Sequence, residues 1–418
     1  MKHPLAIFLA LIVITAPLSA ENWPGWRGPR GDGTSQEKNV PVHWSETKNI
    51  TWKVKVPGIG HSSPVVYGDR IFVTSCLKKE QQRVLMCFDR KNGDMLWKQV
   101  VVKASLEKKH RLNSFASSTP VTDGERVYVT FLDEKDVRVV SYDMSGKKVW
   151  DISPGQFFSR HGFCSSPILY KDKIIVNCDQ DARGKYRAYI VALDRKTGKE
   201  IYRIDRPNRI RSYCAPLITK AAGKTQMVLT GCKCVTSYDP EDGKLLWIID
   251  GPTEQYVASP VYTQGIFFIT TGFPEFHNMA IKPDGSGNVT DSHVLWHEHV
   301  DSFRASYVPS PIAVGEYFFL VSDKGFAHCF EAKTGKRLWM KKLGSHHSAS
   351  PVTANGLLYF TDDEGITYVL KAGPKYEEVT RNALEDSCYA SPAISEGRMY
   401  IRSTNYLWCI EEKEERNQ

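Results

Sequence analysis

The chain has 418 residues, 41% hydrophobic and 24% charged, a balance that excludes a disordered polypeptide and leaves ample material for a core. Its formal charge of +8 is scattered through turn segments such as "DRKNG" (89–93) and "DRKTG" (194–198), with no long basic run, so nucleic acid is not an expected partner. Beyond the first twenty residues no stretch is apolar for long enough to span a bilayer.

Residues 1–20 place Lys2 before an apolar run, Leu5 to Ile14, followed by Pro17 and the small residues Ser19 and Ala20. That order predicts a secretory signal peptide cleaved near Ala20, and therefore an exported mature chain, periplasmic or extracellular. No cysteine stands at the cleavage point to take a lipid anchor. Residues 21–44 are rich in Gly and Pro and predict an irregular extension, with Trp23 and Trp26 packing it onto the domain that follows.

From residue 45 to residue 410 the chain repeats itself. "SSPVVYGDRIFVTSC" (62–76) returns as "SSTPVTDGERVYVTF" from Ser117 and "SSPILYKDKIIVNCD" from Ser165. The small-residue–Pro pair recurs at Pro64, Pro120, Pro167, Pro216, Pro260, Pro311, Pro351 and Pro392, spaced by 40 to 56 residues. Each unit reads as four short antiparallel strands, the first turning at a Gly-Asp or similar pair into the second. Eight such units predict an all-β fold, an eight-bladed β-propeller of four-stranded antiparallel blades. The eighth unit ends at "NYLWCIEE" without a fourth strand, and "ITWKVKV" (50–56) is unused. The N-terminal strand is therefore expected to close the last blade, with residues 411–418 left as a charged tail.

A turn Gly followed by an aromatic marks the start of most fourth strands: Trp97, Trp150, Tyr202, Trp247, Trp296 and Trp339, with Trp52 supplying the eighth unit. These rings are expected to dock one blade on the next. Unit five carries a long insert and unit seven offers only Val379, so those two units are expected to be the least regular. The ten cysteines lie mainly inside strand patterns, which predicts buried thiols with one or two disulfides.

The motif Ala-x-Asp-x-x-Thr-Gly-x-x-x-Trp, matched by "ALDRKTGKEIY" from Ala192, "CFDRKNGDMLW" from Cys87 and "CFEAKTGKRLW" from Cys329, resembles the repeat of the pyrroloquinoline-quinone-like (PQQ-like) eight-bladed propellers. The resemblance covers residues 45 to 410, and "NWPGWRGPRGDGTS" (22–35) is similar to the extension of exported planctomycete-type members. It implies either a BamB-like scaffold role or a dehydrogenase using PQQ with Ca²⁺, an adjacent cysteine pair and an Asp base. This chain has no adjacent cysteine pair, its nearest being Cys232-Lys-Cys234, and no Cys-x-x-Cys-His haem motif.

Aligning the units on their Pro places Asn113, Arg160, His161, Arg209, Arg211, Arg304, His346, Glu385 and Asp386 at one level near the channel mouth, with His110 and Arg111 just upstream. Converging Arg and His there would favour an anionic ligand. Phe157, Phe158, Tyr213, Tyr256 and Tyr307 near the same mouth could stack on sugar rings. His297 and His299, with Asp301 nearby, are weak metal candidates on one strand face. No hydrolase elbow, phosphate loop or His-Glu-x-x-His helix occurs. These readings point to a non-catalytic exported propeller, monomeric, that binds a protein, anionic or glycan partner at its mouth or loops and needs no cofactor. A PQQ-dependent alcohol or sugar oxidoreductase with a reduced site is the alternative, and a carbohydrate-binding propeller is the weaker one.

Overall fold

The structure, a computed structural model, describes residues 21–158, 160–181, 187–206, 208 and 210–412. The expected signal peptide and the end of the charged tail lie outside them, as does Arg209. Eight antiparallel sheets stand in a ring, each running from a short inner strand to an exposed outer one. In the first blade these are Val65–Tyr67, Arg70–Leu77, Gln82–Asp89 and Met95–Lys103. The two middle strands are buried on both faces, and their side chains fill the gaps between neighbouring blades.

Ile50–Lys55 pairs antiparallel with Tyr406–Glu411 and becomes the outer strand of the last blade, so the ring closes through the N-terminal segment as expected. Closure removes the free sheet edge that the final three-stranded unit would otherwise present.

Crowding at the centre explains the small residue before each Pro. The backbone N–H of Ser63 donates to the Thr119 hydroxyl in the next blade at 2.9 Å, and that of Thr119 donates to Ser166 at 2.9 Å. Ser259 to Ser310, Ser310 to Ser350 and Ser350 to Ser391 repeat the contact at 2.9 to 3.0 Å. Blade 4 carries Ala215 at this level, and the Ser259 hydroxyl reaches back to its carbonyl at 2.7 Å. A hydroxyl on one blade thus satisfies a buried amide on its neighbour, and the following Pro brings no further N–H into the crowd.

The docking rings work through a bulge. In every blade the register between third and fourth strands slips by one residue near the turn, as at Cys87/Phe88 and Val369/Leu370, or at Ile50/Trp52 in the closing strand. The bulge re-aims the next side chain across the interface. Indole N–H groups of Trp52, Trp97, Trp150, Trp296 and Trp339 donate to turn carbonyls one blade on, at 3.0 to 3.1 Å. The Tyr202 hydroxyl does the same to Pro240. A Cβ on Gly93 would lie 2.8 Å from the Trp52 ring, so that turn position accepts only glycine.

Three sequence expectations change. In blade 7 the bulge residue is Val379 itself, and Thr380 occupies the aromatic register, yet the sheet is as regular as its neighbours. The insert of unit five does not distort its own blade, because Gly287–Asn288 adds a parallel fifth strand to blade 4. Trp247, covered by that addition, donates to Gln226 instead of a turn carbonyl. No disulfide forms, for all ten cysteines are free thiols and nine are buried, as expected of small hydrophobes.

Removing residues 45–56 should abolish cooperative unfolding in calorimetry, and a melt matching that of the full chain would overturn the closure. Ser350→Ala strands the buried Ser310 amide, and should lower stability by about 1–2 kcal/mol in urea titration with an unchanged slope.

Candidate functional site: an axial cavity closed at its base

The segment 22–35 does more than lie on one blade. Trp23 pairs with Val66 of blade 1 through N–H to carbonyl bonds of 2.8 and 2.9 Å, and the Pro24 carbonyl accepts from Thr122 of blade 2. Gly33 and Ser35 bond to Thr353 of blade 7, and the Ser395 hydroxyl of blade 8 donates to Glu21. Arg27 is fully buried and donates to the carbonyls of Pro311 and Pro351, in blades 6 and 7. Gly25 is required because a Cβ would meet the Val121 side chain at 2.9 Å. These partners are the Pro anchors or inner-strand residues beyond them, so the segment crosses the axis and plugs the end of the channel opposite the mouth.

What remains is a cavity of about 530 Å³ on the axis, within the range of small-molecule sites. Trp26 of the plug forms part of its lining. The hydroxyl belt contributes Ser63, Thr119, Ser166, Ser350 and Ser391. Tyr213, Tyr307, Tyr389 and Phe273 supply ring faces, and His61, His110, His161, His346, Arg160 and Arg211 supply polar groups.

The structure therefore brings together Asn113, Arg160, His161, Arg211 and His346 of the residues placed at the mouth by alignment. Arg111 is exposed and outside the lining. Arg304 turns away, 3.4 Å from Asp301, because a tight turn in blade 6 shifts it off the level that its offset suggests. Asp386 caps the turn at Asn405, and Glu385 is exposed. Phe157 and Tyr256 are core residues and not ring platforms.

The charge is also more modest than four converging Arg. Arg211 is held bidentate by Asp181 at 2.8 and 2.9 Å. Arg160 is exposed and makes no ion pair among the described residues. His346 donates from Nδ1 to Asp363 at 2.7 Å, and that carboxylate holds the imidazole above its ordinary value and favours the charged form. His61, stacked 4.6 Å from Tyr389, is pushed by burial, and by Arg402, down to about 4. His161 is likewise lowered, by burial first and then by Arg211. The wall thus offers the imidazoles of His61 and His161, which burial favours in the neutral form, the Arg160 guanidinium, without an ion pair among the described residues, and one carboxylate-supported His.

Asp323 is the one carboxylate of the lining, raised by burial and accepting from the Tyr307 and Val308 amides at 2.7 and 3.3 Å. Ca²⁺ takes about six to eight oxygens, and this wall does not assemble them. Cys164 is the one thiol in the lining, and burial pushes it up to about 12. Cys232 and Cys234 are buried in another cluster, with Ala188. The donor set does not match a Ca²⁺-held quinone on a cysteine-pair platform.

The fold and this closed cavity define an eight-bladed propeller with a ligand-sized pocket on its axis. The chain belongs to the family described as outer membrane protein assembly factor BamB, whose model matches residues 34–106, 80–270 and 287–374. Among curated relatives, BamB of Burkholderia pseudomallei is 26% identical over 115 residues, which is 28% of this chain and 29% of that protein. BamB from Moraxella catarrhalis superposes over 88% of this chain and 99% of its own, with a TM-score of 0.60 and 12% identity. The quinohemoprotein alcohol dehydrogenase of Comamonas testosteroni superposes over 94% of this chain and 81% of its own, with a TM-score of 0.66 and 12% identity. Likeness at that identity is a likeness of fold.

His347, next to the lining residue His346, is wholly buried with both ring nitrogens unpartnered, and burial pushes it down to about 3. A His kept neutral in the fold protonates more readily once unfolded, near 6.5. Its contribution is therefore complete above pH 6.5 and is lost as pH falls towards 3, at up to about 1.4 kcal/mol per pH unit. His347→Phe should flatten the acid limb of a stability-against-pH curve over that window, and an unchanged limb would contradict the assignment.

Proposed function

We propose that this protein is an exported, non-catalytic binding propeller whose axial cavity takes a small ring-bearing anion, such as a sugar acid or an aromatic carboxylate. The observation that carries the reading is Arg160, without an ion pair among the described residues, and the Asp363-supported His346, set around one cavity walled by aromatic rings. A guanidinium and an imidazolium recognise a carboxylate, and the flat faces of Tyr213, Tyr307, Tyr389 and Trp26 suit a ring. The belt hydroxyls and neutral imidazoles supply further donors and acceptors for ring substituents.

Export is supported by the basic, apolar and small-residue order of residues 1–20 and by membership of a family named for outer membrane assembly. That family name also supports a partner-binding protein over an enzyme. The lining argues against the oxidoreductase alternative, since it offers one carboxylate for a Ca²⁺ ion and no cysteine pair beside the cavity.

Titrating residues 21–418 with glucuronate, 4-hydroxybenzoate, a neutral hexose, and PQQ with and without Ca²⁺ tests the reading, followed by calorimetry and tryptophan fluorescence. Carboxylates should bind saturably and the hexose should not. Arg160→Ala should weaken binding about tenfold, the value of one charge-assisted contact. Affinity should fall as pH rises above 6.5 through the raised His346 value, because the imidazolium is lost. Absence of saturable carboxylate binding, or equal binding by Arg160→Ala, would overturn the proposal.

A further inference from the structure

On the outer half of blade 5, away from the axis, two adjacent strands place three histidines together. Phe276–Ile281 pairs antiparallel with Val294–Val300, setting His277 directly opposite His299 and Met279 opposite His297. Alternation along each strand puts all three imidazoles on one face of the sheet. The His277 ring lies 4.8 Å from that of His299 and 5.0 Å from that of His297. Glu275, one residue before the strand, brings its carboxylate to 3.6 Å from Nε2 of His277. One donor atom from each of Glu275, His277 and His299 falls within 4.8 Å of the others.

His277 is the informative member. It is only 5% exposed, and its Nε2 has no hydrogen-bond partner, whereas its Nδ1 lies 3.0 Å from Nε2 of His297. With the proton on Nδ1, His277 donates to His297 and leaves its Nε2 lone pair beside the Glu275 carboxylate, with the His299 ring stacked alongside. A ring fixed by a bond at one nitrogen, with the other nitrogen free, is the arrangement that metal-binding histidines adopt.

We propose that Glu275, His277 and His299 bind one divalent transition-metal ion, Zn²⁺ in preference to Ca²⁺ or Mg²⁺, with His297 orienting His277. Two imidazoles and a carboxylate are a set that suits Zn²⁺, leaving a fourth position for water, whereas Ca²⁺ and Mg²⁺ call for oxygen donors throughout. At zinc–donor distances of about 2.0–2.2 Å, neighbouring ligand atoms of a tetrahedron stand about 3.3 Å apart. The Glu275 to His277 separation is near that already, and the exposed Glu275 and His299 side chains can close the remainder. The ion would tie the two outer strands of the blade to the turn that precedes them. This site is separate from the axial cavity, and neither reading depends on the other.

The test uses residues 21–418 without a histidine tag, titrated with Co²⁺ and read by the visible absorption of the tetrahedral ion, then with Zn²⁺ in competition. One equivalent should bind with micromolar or tighter affinity. His299→Ala and Glu275→Gln, both at exposed positions and expected to leave the metal-free melting temperature unchanged, should weaken binding at least tenfold. His297→Ala should weaken it about ten- to a hundredfold while preserving stoichiometry and the absorption band. Arg160→Ala, at the cavity, should leave metal binding intact. Failure to take up metal at micromolar concentration would overturn the proposal, as would uptake by His299→Ala at wild-type affinity, which would place the ion on the cavity histidines.

Discussion

The contact on which the rest of the structure depends is a backbone amide of one inner strand bonded to a hydroxyl of the next. Eight strand ends converge on the axis, where side chains have little room and buried amides have no water to bond. Ser or Thr meets both needs at once, because it is small and its oxygen accepts the neighbour's N–H at 2.9 to 3.0 Å. A second tier stiffens the same ring. Thr74 and Thr130 donate to the Ser118 and Ser165 carbonyls of the following blades, and Asn177 does so to Cys214. Because the belt also lines the cavity, the groups that hold blades together are those that a ligand would touch.

Two N-terminal segments serve closure rather than extension. The strand at residues 50–55 completes the ring sideways, while residues 22–35 seal it along the axis. Arg27 makes the seal costly to disturb, since a fully buried guanidinium without its carbonyl partners would leave an unsatisfied charge. Trp44 adds a further patch, stacked on Tyr359 of blade 7 and within the core cluster that runs from blade 7 through blade 8 to blade 1. That is the junction where Thr380 stands in place of a docking ring.

Features that recur were legible in the sequence, and features that occur once were not. Eight Pro anchors and a repeated Gly-to-aromatic interval give the blades, their order and the missing strand, because a period is visible without knowing any contact. The Pro offset located five lining residues, since chain entering an inner strand must arrive near the axis. It failed for Arg304, where a local turn between Asp301 and Arg304 overrides the offset. The Arg211–Asp181 pair joins residues on different loops, and no spacing rule connects them. Trp26 was missed as a lining residue because Gly- and Pro-rich sequence signals irregular backbone without saying where that backbone goes. The bulge residues misled in blade 7 for a related reason, as one slipped register moves the aromatic place from Val379 to Thr380.

A propeller of this family offers its chemistry as a ring of loop residues around a scaffold whose identity says little about them. The distribution of carboxylates and thiols is what bears on the quinone alternative. Among described residues, its buried Asp179 is spent on Arg206, in a pair with no exposed side-chain surface, and nine of its ten thiols are buried, with Cys164 alone in the cavity lining. Groups committed to burial in this way are unavailable to a cation or a quinone on the axis. The charged groups that face the cavity include Arg160 and the Asp363-supported His346, set among aromatic rings, and these are attractive to an anion. Neutral histidines complete the contrast, since His61 and His161 can accept as well as donate once burial has removed their charge. The axis thus carries the polarity of a binding site, while the metal-ligating character of the molecule is displaced to the outer strands of blade 5.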